Sequence, residues 1–142
     1  MADERLEAAV RLRKGTLIEL LGIRAVELGD GRAVEEMEFR PDLCQLTGLL
    51  HTGAILALAD TAATAAAMTV VNPQGDFDLS RFPLAIQLSA NLVRNTNRGK
   101  ITAEAVATHR GRTTIVVETQ VRDEGGRLLA LVTVTLLVPQ QR

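Results

Sequence analysis

One carboxylate stands alone in the most apolar part of this 142-residue chain. Between Leu43 and Gly75, Asp60 is the only residue with a formal charge. Burying a carboxylate is costly unless it is paired, hydrogen-bonded or protonated, so its presence needs an explanation. Two explanations are open: a structural aspartate bonded to neighbouring hydroxyls or amides, or a catalytic base or nucleophile whose environment tunes its pKa.

Residues near Asp60 are suited to the same chemistry. Thr64 follows it by one helical turn, so the Thr64 hydroxyl could hold a water beside the carboxylate or bond back to its own helix. His51, Thr52 and Gly53 fall where a helix is expected to begin. Free backbone N–H groups at a helix start, together with the helix dipole, stabilise an oxygen that gains negative charge.

The spacing of these groups has a geometric consequence. Thr52 and Asp60 are eight residues apart, which is about 12 Å along a straight helix. A reacting carbonyl must lie within about 3 Å of both its oxyanion donor and its attacker. If both groups act, they must therefore come from two antiparallel copies of the helix, and the sequence predicts an isologous dimer with composite sites.

The segment that carries these residues is predicted to be one long helix, His51 to Val71. It contains eight alanines and ends before Asn72-Pro73, as expected for a strong helix former stopped by proline. Its apolar character on every side predicts burial within a domain. A membrane span is disfavoured, because an aspartate at the centre of a span costs roughly 2.5–3.5 kcal/mol.

The remaining pattern predicts a single α+β domain over residues 1–142. An amphipathic helix from Asp3 to about Leu20, interrupted at Gly15, precedes two strands joined by a turn at residues 29–31. The second of these strands is expected to carry a bulge. Alternating residues predict four more strands after the long helix, and such runs of strands beside a segregated helix favour a mainly antiparallel sheet curled around it. The predicted strands are Gly22–Leu28, Arg32–Arg40, Leu84–Leu92, Ile101–Thr108, Ile115–Val121 and Arg127–Val138, with loops at Pro41–Leu50 and Gly75–Phe82.

The segment from Gln45 through His51-Thr52-Gly53 to Leu58-Ala59-Asp60 resembles the signature of the PaaI-like hot-dog thioesterases. Their usual form is an Asn or Gln, then Gly, His-Gly-Gly and Leu-Ala-Asp at these spacings. The resemblance extends over the rest of the chain, including the Gly111-Arg112 turn and the apolar last strand. It implies a hot-dog fold that hydrolyses acyl-CoA thioesters to free acid and CoA, needs no cofactor beyond its substrate, and forms a homodimer that pairs into a homotetramer.

The resemblance also implies a role for each matching residue. Asp60 becomes the general base or nucleophile, and a backbone N–H at Thr52-Gly53 polarises the carbonyl, with Thr52 in place of the usual glycine. Gln45 orients the thioester or the water, His51 positions the loop, and Thr64 is a helper hydroxyl.

A second cluster is basic and lies at predicted strand ends. Arginine binds phosphate bidentately, so we expect part of this cluster to hold the CoA nucleotide; solvated turn charges are the alternative. The residues are Arg94, Arg98, Lys100, Arg110, Gly111, Arg112, Thr113 and Thr114.

Composition narrows the remaining functions. The net charge of -1 gives no field that would recruit nucleic acid or an anionic membrane. The single cysteine, Cys44, excludes an intramolecular disulfide and a cysteine-based zinc site, and no metal or signal segment is expected, which favours the cytoplasm. With no Trp or Tyr and only Phe39, Phe77 and Phe82, the acyl group is expected to be aliphatic or a small aryl.

Two other functions remain open. One is a non-catalytic protein that binds acyl-CoA or lipid, which the combination of Asp60, Gln45 and the helix start disfavours. The other is a hydratase or dehydratase that uses His51 with Asp60, which the order of the motif disfavours.

Overall fold

The computed structural model describes residues 2–140, with side chains from residue 4 onward. Two short helices precede a hairpin, a long helix follows, and four strands complete the chain. The elements are α1 (Ala2–Leu12), α2 (Leu17–Leu20), β1 (Arg24–Gly29), β2 (Arg32–Glu38), α3 (Thr52–Val71), β3 (Leu84–Leu92), β4 (Lys100–Arg110), β5 (Thr114–Arg122) and β6 (Leu128–Leu137).

The six strands form one antiparallel sheet in the order β1-β2-β4-β5-β6-β3. The sheet curls around α3, which contacts all six strands, so the predicted hot-dog architecture is confirmed. Alanines such as Ala59, Ala62 and Ala66 are fully buried on α3, and their small side chains let the sheet approach closely. Within the described residues, α3 is the one helix long and apolar enough to cross a membrane, and the surrounding sheet accounts for that apolar surface.

The N-terminal region is two helices where the sequence predicted one interrupted helix. Gly15 lies between them with a φ of +77°, a backbone conformation that favours glycine. The predicted interruption is therefore confirmed. α1 packs against β1, and α2 is a single exposed turn.

The β1–β2 hairpin turns at Asp30-Gly31, where both residues have positive φ, as a two-residue type I′ turn requires. The predicted turn is confirmed, but the predicted bulge is misplaced. The register shift lies in β1, between Ala25 and Glu27. β2 itself alternates regularly, with Ala33, Glu35 and Met37 buried. The apolar alternation of β2 is broken in the sequence because one of the inward-facing residues, Glu35, is charged.

Strand β3 lies at one edge of the sheet and is exposed along most of its length. Its apolar side chains are not covered: Leu84 is 55% exposed and Ile86 57%. A long apolar edge with unpaired backbone groups is a ready surface for pairing with another strand.

Candidate active site

Asp60 lies at the middle of α3 and lines a cavity of about 410 Å³. The cavity is lined mainly by residues of α3, of the α1–α2 region and of the segment 77–85. A volume of this size is in the range of small-molecule sites. The loop wall includes Phe77 and Phe82. Two of the three phenylalanines of the chain therefore line the cavity, although the sequence predicted few aromatic contacts with an acyl group.

One of the two oxygens of the Asp60 carboxylate is buried and has no hydrogen-bond partner among the described residues. Its Oδ1 atom is inaccessible and makes no hydrogen bond to any residue in the range 2–140. Burial raises the pKa of Asp60 above its ordinary value, because desolvation disfavours the charged form. The structural alternative, an aspartate satisfied by neighbouring hydroxyls or amides, therefore has no support at this oxygen, and perturbed carboxylates in cavities are candidates for catalysis.

Thr64 lines the same cavity as Asp60, as its spacing predicted. Thr61, also in the cavity wall, donates from its hydroxyl to the carbonyl oxygen of Ala57 at 2.7 Å. No such bond back to the helix is found for Thr64 in the described part of the chain. Its hydroxyl is thus available to a water or a ligand in the cavity.

The start of α3 is capped by His51, whose Nδ1 accepts a hydrogen bond from the Gly53 backbone N–H at 2.7 Å. Because Nδ1 accepts, the neutral imidazole carries its proton on Nε2. A Cβ at position 53 would lie 2.9 Å from this Nδ1, so glycine is required for the ring to fold over the helix start. The cap occupies the Gly53 N–H. The exposed Thr52 N–H has no bonded partner among residues 2–140, and it is the donor left for an oxyanion.

The loop before α3 is held by several hydrogen bonds. The Gln45 N–H donates to the carbonyl oxygen of Leu49 at 2.8 Å, and its side-chain amide donates to the Thr47 hydroxyl at 3.0 Å. The Asn95 side chain donates to the carbonyl oxygen of Leu50 at 2.8 Å. The structure thus places Gln45 in the loop before α3, and His51, Thr52 and Gly53 at the helix start. None of them lines the Asp60 cavity of the same protomer.

The basic residues that the sequence grouped together are divided by the fold. Arg94 and Arg98 lie in the β3–β4 connection, beside the start of α3, because neighbouring Thr96 accepts from the Leu50 N–H. Arg110 to Thr113 lie at the other end of β4. This strand has eleven residues, so its two ends are roughly 33 Å apart. The basic residues therefore form two separate groups within a protomer, and which of them hold the CoA nucleotide stays a prediction.

The two groups also differ in their contacts. Arg110 forms an ion pair with Asp30 at 3.2 Å and donates to its carbonyl oxygen at 2.8 Å, which fixes it on the β1–β2 turn. Arg112 and Thr113 are exposed, and Lys100 pairs with Glu36. Gly111 has no space for a side chain, since a Cβ would lie 2.8 Å from the carbonyl oxygen of Thr114.

Sequence reasoning missed a buried ion pair in the cavity wall. Both Nη atoms of Arg13 donate to the two carboxylate oxygens of Glu35, each at 2.7 Å. Arg13 lines the cavity, and Glu35 has no exposed surface. One signal was available: adjacent Glu35 and Glu36 in a strand must face opposite sides of the sheet.

Comparison with known proteins places this chain in a family. The model of the thioesterase superfamily matches residues 47–130. The chain is 31% identical to the 1,4-dihydroxy-2-naphthoyl-CoA hydrolase of Listeria monocytogenes, over 89% of this chain and 98% of that protein.

Solved structures agree. The thioesterase HI1161 from Haemophilus influenzae superposes with a TM-score of 0.84 at 26% identity, covering 95% of this chain and 90% of that one. The phenylacetic acid degradation protein PaaI from Thermus thermophilus superposes with a TM-score of 0.72 at 31% identity, covering 84% and 96%. A hot-dog fold, an unpaired carboxylate in a cavity and these matches together show that the chain belongs to the thioesterase superfamily, in its PaaI-like hot-dog branch.

Proposed function

We propose that this protein hydrolyses acyl-CoA thioesters to a free acid and CoA, with Asp60 as the catalytic carboxylate. The observation that carries the proposal is the unpaired Asp60 oxygen in the wall of an apolar cavity large enough for an acyl group. The Listeria relative is named for hydrolysis of an acyl-CoA, which is consistent with this substrate class.

In the proposed reaction, the thioester carbonyl lies between Asp60 of one protomer and the helix start of its partner. Asp60 removes a proton from a water held beside Thr64, and the resulting hydroxide attacks the carbonyl carbon. The Thr52 N–H, together with the dipole of α3, stabilises the oxyanion of the tetrahedral intermediate. The intermediate then expels the CoA thiolate, which takes up a proton. Attack by Asp60 itself, through a mixed anhydride that water cleaves, gives the same products.

A homodimer is part of the proposal because the two catalytic groups lie on one helix. Thr52 is the first residue of α3 and Asp60 the ninth, and they cannot meet at one carbonyl. The exposed apolar strand β3 supports such a dimer. A second β3 paired antiparallel with it would extend the sheet across a two-fold axis and lay the two α3 helices antiparallel. Pairing of two such dimers into a tetramer remains an expectation from the family.

For the CoA nucleotide we propose Arg94 and Arg98, because both are exposed and lie at the same end of the sheet as Thr52. Arg112 and Thr113 are the second choice, and Arg110 is engaged by Asp30. Replacing Arg94 and Arg98 with alanine is expected to raise KM for acyl-CoA more than it lowers kcat. Arg122→Ala, whose guanidinium bonds to Gln120 and Gly126 on the surface, is the matched control. An unchanged KM in the double variant would remove these arginines from the proposal.

A thiol reagent that reports free CoA tests the proposed reaction directly. Wild type is expected to release CoA from at least one member of a panel of aliphatic and aryl acyl-CoAs, and Asp60→Asn to lose that release while still binding substrate. Binding without release by wild type would instead identify a non-catalytic acyl-CoA-binding protein. Loss of double-bond absorbance without thiol release would identify a hydratase.

A further inference from the structure

The cavity contains a second charged side chain that hydrolysis does not require. Among the lining residues only Asp60 and Arg13 carry a formal charge. Arg13 forms its ion pair with Glu35 and none with Asp60. Arg13 follows α1 directly and lies in the part of the cavity wall that the α1–α2 region contributes.

Arg13 is held rigidly by its neighbours. Its two Nη atoms donate hydrogen bonds to the carboxylate of Glu35, which is fully buried. Its carbonyl oxygen accepts from the Thr16 hydroxyl at 2.6 Å and from the Thr16 N–H at 3.1 Å. A guanidinium has five N–H groups, and Glu35 engages two of them. Arg13 lines the cavity, and its side chain retains 14% exposure.

A buried ion pair is not needed to hold a helix in place, because removing two charges from water costs free energy. Apolar side chains of similar volume at these two positions would generally serve as well or better for stability. A site with fixed donors, by contrast, discriminates strongly in favour of ligands that carry the matching acceptor.

Resting on the hydrolysis proposed above, we propose that Arg13, oriented by Glu35, is a specificity-determining residue that donates a hydrogen bond to an oxygen on the acyl group. The Arg13–Glu35 pair has no net charge, so a hydroxyl or keto oxygen fits the site. A carboxylate on the acyl group would lie close to the Glu35 charge in a poorly solvated pocket. Phe77 and Phe82 in the same cavity favour a ring as the bearer of that oxygen.

The test compares 3-phenylpropanoyl-CoA with its ortho-, meta- and para-hydroxy derivatives. At least one hydroxylated isomer is expected to have a kcat/KM about 10- to 100-fold above that of the parent. In the double variant Arg13→Met/Glu35→Met, which leaves no unpaired buried charge, the ratio is expected to fall to near one. Circular dichroism of each variant verifies the fold.

Arg5→Met is the matched control. Arg5 is a buried arginine on α1, bonded to the Pro73 carbonyl oxygen, and it does not line the cavity. It is expected to keep the wild-type ratio. An equal fall of the ratio in Arg5→Met would assign the effect to helix docking and overturn the proposal.

The wild-type measurement also decides without any variant. Hydrolysis of all four thioesters at similar rates would overturn the role of Arg13 and leave the proposed hydrolysis intact. A wild type that hydrolyses no acyl-CoA would overturn the proposed function itself.

Discussion

Glu35 and Asp60 are both withdrawn from solvent, and they differ in how their carboxylates are compensated. Glu35 on β2 is completely buried, and Arg13 grips both of its oxygens. Asp60 on α3 is partly buried, and its Oδ1 has no hydrogen-bond partner among residues 2–140. Burial alone thus does not identify a catalytic carboxylate. A carboxylate that the fold has already paired orients its partner, whereas one left unpaired in a cavity is available to a substrate.

The largest expected effect of this contrast is on activity. Asp60→Asn is expected to lower kcat by about 10²- to 10⁴-fold, the usual contribution of a general base, while the protein remains folded. The rate of CoA release, measured at saturating substrate, gives the result. A variant that retains most of the wild-type kcat would show that Asp60 is not the catalytic group.

Glu35 should show the opposite behaviour. Glu35→Gln leaves the Arg13 guanidinium buried without its counter-charge, and breaking such a pair costs about 3–5 kcal/mol. Urea unfolding is therefore expected to show a much lower free energy of unfolding for this variant than for Asp60→Asn. Similar stabilities for the two variants would mean that the pairing of Glu35 contributes little.

The oxyanion donor can be removed without removing the helix. Thr52 is the first residue of α3 and follows an extended His51, a position where proline fits. Thr52→Pro deletes the N–H and is expected to lower kcat by about 10²- to 10³-fold. Thr52→Ala keeps the N–H and is the matched control, expected to stay close to wild type. Equal losses in both variants would point to the side chain instead.

The smallest expected effect is on stability as a function of pH. The pKa of Asp60 is raised by burial, so the folded protein holds this proton more tightly than the unfolded chain does. The contribution of Asp60 to stability therefore falls as pH rises through that raised pKa. Asp60→Asn is expected to have a higher Tm than wild type at pH 7, and the gap should close below the ordinary aspartate pKa of about 3.9. A gap independent of pH would contradict the unpaired state.

The fold could be predicted because local patterns and global architecture agree. The alanine-rich stretch ending at Asn72-Pro73 is α3, and the Asp30-Gly31 turn and Gly15 break lie where their residue types demand. The placement of Asp60 and Thr64 in one cavity wall followed from helical spacing.

Other features depend on partners that are distant in sequence. The inward orientation of Glu35 depends on Arg13, which lies 22 residues away. The division of the basic residues depends on the length of β4. Arg98 and Arg110 are close in sequence, but the strand between them places them far apart in space. Phe77 and Phe82 enter the cavity through a loop whose path no periodicity reveals.

The central claim is that one active site is built from two protomers, and subunit mixing tests it. Asp60→Asn and Thr52→Pro are each expected to be nearly inactive. When the two are unfolded, mixed in equal amounts and refolded, half of the dimers should be mixed, each with one intact site of its two. The proposal predicts recovery of about a quarter of the wild-type activity. Mixtures that refold into dimers and recover no activity would contradict a shared site.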